Sequence, residues 1–97
     1  MPGNVPTGIP TGVGSLFSTE VTQAIAAAAR FVMPAGTFYV YTVGADVRLQ
    51  VINSLGVWNF LTAAGTQPPG PIISDGASVG FVNGGAAPEN IIYIRLP

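Results

Sequence analysis

Thirteen glycines and nine prolines cut this chain into short apolar runs, and that punctuation constrains the fold more than any other feature. Met33-Pro34-Ala35-Gly36 places Pro at the second and Gly at the fourth position of a tight turn. It predicts a hairpin joining a strand over 30–33 to one over 37–43. Asn53-Ser54-Leu55-Gly56 reads as a four-residue hairpin loop between strands over 47–52 and 57–62, with Gly56 free to take positive φ. Residues 63–71, AAGTQPPGP, form a loop that two consecutive prolines keep out of any central ladder. Asp75-Gly76 predicts a further hairpin between strands over 72–74 and 77–82, and Asn83-Gly84-Gly85 opens the loop before a last strand over 90–96. These short strands at regular turn spacing, about seven in number, with no βαβ alternation, predict an all-β fold: a small antiparallel β-sandwich or barrel.

Residues 16–33 fit two descriptions. Ala26 to Ala29 favour helix, with Ser18 as a cap and Glu20 in the first turn, which would place a helix within 19–30. Val21, Ile25, Ala27, Ala29, Phe31 and Met33 also alternate as in a strand, and Val21, Thr22, Phe31 and Val32 prefer strand. The balance leans to strand, above all at 30–33. Residues 1–15, MPGNVPTGIPTGVGS, carry Pro and Gly too often for helix or central strand. They read as an extended arm preceding one β-domain over 16–97, with an unstructured terminus as the alternative. Val5, Ile9 and Val13 are its candidate contacts, able to order only against another surface.

Composition then narrows the function. A domain of this length buries a modest fraction of its surface. With no cysteine it has no disulfide to support it, and no histidine, no cysteine and only four acids leave no expected metal site. Charged residues are 7% of the chain, against roughly 25% in a typical soluble domain, while 48% are hydrophobic. A surface this poor in charge is expected to be covered by neighbours, so a homo-oligomer or a larger assembly is the natural reading. Arg30, Arg48 and Arg95 are scattered and the net charge is -1, so nucleic acid is not an expected partner. The start of the sequence lacks a basic segment followed by an apolar one, so no secretory signal is expected. The apolar window 24–45 contains Arg30, Pro34 and two glycines and is a poor membrane span.

No catalytic residue is expected. Without histidine, cysteine or lysine the usual nucleophile–base pairs cannot be built. Turns and strand ends account for Glu20, Asp46, Asp75 and Glu89 as a glycosidase pair does not. The glycines near the start lack the flanking strand and Lys-Ser or Lys-Thr of a phosphate loop, and no cofactor is expected. The aromatics are more telling. Alternation puts Phe38 and Val40 in the core and turns Tyr39 and Tyr41 outward; Trp58 and Phe60 share a face opposite Val57, Asn59 and Leu61. Tyr39, Tyr41 and Trp58 are therefore candidate partner contacts, with a second core layer as the next reading and a sugar platform as the third. Asp46 and Arg48 stand at strand spacing for a local ion pair, and Arg95 is placed for one between subunits.

The run FVMPAGTFYVYTVGADVRLQV, followed by IISDGASVGFVNGGA, is similar to small proteins of tailed-phage structural modules. It looks like a capsid decoration or cement protein in its Pro-Ala-Gly turn before an aromatic strand, its Ser74-Asp75-Gly76 turn and its Asn83-Gly84-Gly85 turn. The likeness covers roughly the C-terminal two thirds and consists of turn chemistry. It implies a β-sandwich or barrel on the capsid exterior of the virion, clamping the major capsid protein and assembled in the host cytoplasm. It also implies a homo-oligomer, with a trimer favoured because such proteins often sit at threefold sites. The competing expectations are another virion component, such as a fibre, tail or neck subunit, and a small carbohydrate-binding β-module.

Overall fold

A computed structural model of the protein describes residues 19–97. The expected arm over 1–15, with Val5, Ile9 and Val13, lies outside the described residues. Eight strands follow: β1 (Val21–Ile25), β2 (Arg30–Val32), β3 (Gly36–Val43), β4 (Val47–Ile52), β5 (Trp58–Phe60), β6 (Ile72–Ser74), β7 (Val79–Asn83) and β8 (Glu89–Arg95). They form two four-stranded antiparallel sheets, ordered β1-β8-β3-β6 and β2-β7-β4-β5. The all-β expectation holds. The strand beyond the expected seven comes from the ambiguous stretch. β1 ends at Ile25, and a turn closed by Ala29 N–H on the Ala26 carbonyl (3.1 Å) leads into β2. Ala28 takes φ +60° there, a left-handed conformation foreign to a helix. Alternation wins over alanine's helix propensity because Ile25 has a core to enter and four alanines offer a helix nothing to bury.

The pairings have one simple description. β1 pairs β8, β2 pairs β7, β3 pairs β6 and β4 pairs β5, as in a single long ribbon folded back at the β4–β5 loop. The ribbon then rolls up so that β8 also pairs β3 and β7 also pairs β4. This is the jelly-roll arrangement, found in viral capsid and lectin domains and in cupins.

Rolling the ribbon overturns two expected hairpins. The Met33–Gly36 turn joins β2 to β3, and the Asp75-Gly76 turn joins β6 to β7, but in each case the two strands lie in different sheets. Both turns are corners where the chain changes sheet, and they lie against each other. Ser74 Oγ donates to the Met33 carbonyl (3.0 Å), and the Met33 N–H donates to the Val79 carbonyl (2.8 Å). The backbone of Gly76, at φ +90°, runs so near Ala35 that a Cβ would sit 3.3 Å from its nitrogen. The expected β4–β5 hairpin is present. Asn53 N–H donates to the Val57 carbonyl, and Asn53 Oδ1 accepts from the N–H groups of Leu55 and Val57.

Phe38, Val40, Ile72, Ile91 and Tyr93 of the first sheet meet Leu49, Val79 and Phe81 of the second, with Met33 buried at the corner between them. Phe38 packs its ring edge on Tyr93, with centroids 5.4 Å apart. Burying each of the larger side chains contributes about 1.5–3 kcal/mol. Asn83 is completely buried on β7, yet its amide donates to the carbonyls of Ile25 and Ala87, and its oxygen accepts from Gly85 N–H. It ties β1 to the loop before β8.

Candidate interaction surfaces

Each sheet has an outer face, and strand alternation decides what stands on it. In the second sheet Val47, Leu49 and Val51 point inward, so Arg48, Gln50 and Ile52 point outward. The register sets Arg30, Val82 and Arg48 in one row, and sets Val32, Gly80, Gln50 and Phe60 in the next. Gly80 leaves no side chain in the middle of that row. The Arg30 stem crosses this gap, where a Cβ on Gly80 would lie 3.3 Å from Arg30 Cγ. Arg30 Nε then donates to Gln50 Oε1 (3.0 Å), and its guanidinium lies 4.2 Å above the Trp58 ring. Arg48 stacks likewise on Phe60 at 4.5 Å. Gln50 is buried beneath this layer. The face is a lattice of two guanidinium–aromatic pairs, each worth roughly 0.5–2 kcal/mol. A shallow hollow of about 330 Å³ beside it is lined by Asp46, Arg48, Gln50, Phe60, Val82 and Gly84.

The expected Asp46–Arg48 pair does not form. Asp46 precedes β4, in a turn closed by Val47 N–H on the Gly44 carbonyl, so strand alternation does not extend to it. Its N–H binds Glu89 Oε1 (2.8 Å), while Arg48 turns to Phe60. Arg95 folds over the Phe38 ring at 4.9 Å and fills the space left by Gly36.

The outer face of the first sheet carries Tyr39 and Tyr41, as alternation predicts, with Phe38 and Val40 buried behind them. A break in the β3–β8 register between Val40 and Thr42 places Tyr41 in a bulge. The two rings meet edge to face, 5.3 Å apart at 82°. Gln67 anchors them by donating to Tyr39 Oη (3.1 Å) and to the Val40 carbonyl (2.9 Å). Trp58 lies on the opposite face of the sandwich, so the three candidate contacts fall into two separate sites.

A third surface was not foreseen. Leu55, Val57, Phe60, Leu61 and Ile73 are 84%, 53%, 55%, 58% and 79% exposed. Among the described residues they are the large apolar side chains more than half exposed: Leu55 stands at the tip of the β4–β5 loop, Phe60 on the outer face of the second sheet, and Val57, Leu61 and Ile73 on the β5–β6 side. There the two sheets part over an apolar groove of about 260 Å³ that reaches Leu49, Val51, Ile72 and Val79, under the loop of Pro68, Pro69 and Pro71. No sequence signal marks it, because it depends on β5 and β6 lying at the same edge of different sheets.

Among the described residues no three His, Cys, Asp or Glu side chains gather as metal ligands do, and no helix is long and apolar enough to cross a membrane. No protein-family model matches the chain, and neither a curated protein nor a solved structure gives a significant match.

Proposed function

We propose that this protein is a structural subunit of a virus particle, a capsid decoration or cement protein that binds the outside of a major capsid protein lattice and stabilises it. The observation that carries the reading is the apolar β5–β6 side of a charge-poor jelly roll, where Val57, Leu61 and Ile73 stand more than half in solvent around an apolar groove. Exposed apolar area of this kind marks a surface meant to be covered. The jelly roll, common in capsid proteins, is consistent with it, although the architecture alone decides no function. In this reading Tyr39 and Tyr41 on one face and Trp58 on the other contact the lattice, Val5, Ile9 and Val13 contact a neighbouring subunit, and the protein is a homo-oligomer, a trimer at threefold sites. Binding the assembled shell and not its free subunits stabilises the shell by mass action. Another virion component, such as a fibre, tail or neck subunit, would use the same surfaces. The carbohydrate-binding reading is weaker on geometry. Arg30 covers a face of Trp58, and Tyr39 and Tyr41 stand edge to face, so neither site offers a flat open ring.

The test is co-sedimentation with empty shells made from the major capsid gene nearest to this protein's own gene. Saturable binding, a raised shell melting temperature and loss of both in Tyr39→Ala/Tyr41→Ala support the proposal. Shells that neither retain the protein nor gain stability from it would refute it.

A further inference from the structure

We propose that the apolar groove between β5 and β6 is the acceptor for residues 5–13 of a second copy of this chain, laid along β5 as an added parallel strand. The occupant is argued from the sequence of that segment. Val5-Pro6-Thr7-Gly8-Ile9-Pro10-Thr11-Gly12-Val13 alternates without exception: its odd positions are all β-branched and its even positions are all Pro or Gly. In an extended chain Val, Thr, Ile, Thr and Val fall on one side. Backbone directions alternate with the same period, so the prolines, which have no N–H, all turn the same way and the odd residues keep every donor. Proline is tolerated in a strand only with that side away from its neighbour. The odd residues must therefore bond to the acceptor.

The acceptor edge is equally defined. Asn53 and Leu61 N–H groups bond to Val57 and Leu49 carbonyls, so the backbones of 57, 59 and 61 face β4 and those of Trp58 and Phe60 face outward. A parallel strand bonding to Trp58 and Phe60 carries its side chains on the face of Val57, Asn59 and Leu61, which is the groove side. An antiparallel strand would put them beside the Trp58 and Phe60 rings and leave the groove open. The parallel direction alone satisfies the donors and fills the groove.

Chain length favours a second copy as donor. From Val13 to Val21 are eight residue steps, at most about 29 Å when fully extended. β1 and β6 stand at opposite edges of the first sheet, three strand spacings or about 14 Å apart, and the second sheet lies about 10 Å further on. The pairings put Val21 at the same end of the sandwich as the start of β5, whereas a parallel added strand would finish beyond Phe60 at the other end, so a segment of the same copy would have to round a whole sheet and also run its length, further than those eight steps reach. A neighbour's segment arrives from outside. Such a head-to-tail contact gives a ring where the rotation between copies closes, as in a trimer, and a filament where it does not.

The sequence has no cysteine, so cross-links can be placed at will. Ile9→Cys in one tagged population and Leu61→Cys in another are mixed as full-length protein and oxidised, with Thr22→Cys on β1 as the control partner. A disulfide between the Ile9→Cys and Leu61→Cys chains, absent with the control, is the expected result. Sedimentation should also show loss of the oligomer in Leu61→Asp and in Val5→Asp/Ile9→Asp, both retaining the β spectrum. The inference is overturned if the mixed cross-link does not exceed the control. It is also overturned if the Ile9→Cys/Leu61→Cys double variant closes its disulfide only within one chain, or if both Asp variants keep the oligomer. The proposal rests on the assembly reading only in requiring more than one copy. Shell binding is not read in this experiment, so either can fail while the other stands.

Discussion

Asn83 and Asp75 show two ways in which a polar side chain serves this fold. Asn83 is buried, and all of its amide's partners are backbone groups of β1 or the loop before β8. Asn83→Ala removes three hydrogen bonds to backbone groups from a buried site and should cost about 1–3 kcal/mol or more in urea unfolding. Asp75 is fully exposed and works through its charge. The N–H groups of Ala77 and Ser78, then the Ser78 hydroxyl, donate to its carboxylate and hold its pKa below the usual carboxylate range. A folded-state pKa below the unfolded value of about 3.9 gives stability that is complete above that value and lost as pH falls through the folded one. Denaturation of the wild type and Asp75→Asn should therefore differ at neutral pH and converge in acid. A gap that persists unchanged at low pH would show that the charge is not what Asp75 contributes. This turn was legible in the sequence as Asp75-Gly76, and so were the inward Phe38 and Val40 and the outward Tyr39 and Tyr41. The role of Arg30 was not. Its partners Gln50 and Trp58 lie 20 and 28 positions away, and only the register of four strands brings them together.

At the scale of the element, β7 is the strand on which the second sheet depends. It lies between β2 and β4, and four of its five residues are buried. Gly80 at its centre lets Arg30 cross, and a Cβ there would meet the Phe31 carbonyl oxygen at 2.9 Å. Gly80→Ala must move backbone, which is expected to cost about 1–3 kcal/mol. It should also displace Arg30 and shift the emission of Trp58, the one tryptophan in the chain. Unchanged emission would mean that Arg30 does not depend on the gap. Why the turns were legible and two hairpins were not follows from the same element. A turn is specified by four local residues, but a partner strand is specified by which apolar faces can share a core. β7 takes its neighbours from positions 30–32 and 47–51, far outside any local window.

For the whole molecule, the rolled ribbon makes most pairings distant in sequence. Loops of tens of residues must close before β1 finds β8 or β2 finds β7, so refolding is expected in the millisecond-to-second range typical of all-β domains and not in microseconds. Stopped-flow tryptophan fluorescence would measure it, and a microsecond phase carrying the full amplitude would contradict the topology. Removing residues 89–97 takes away the strand between β1 and β3 and should abolish cooperative unfolding, whereas shortening the exposed Ser54–Leu55 tip should be mild. The antiparallel pairing of β1 with β8 also has a mechanical consequence. Val21 lies opposite Tyr93, so the two ends of the described chain leave from the same end of one strand pair. Tension applied between them opens β1 from β8 one rung at a time, as a zipper opens, and no set of bonds is loaded together in shear. A subunit tethered by its ends is therefore mechanically soft, and one gripped across its faces and its β5–β6 side resists force with every rung at once.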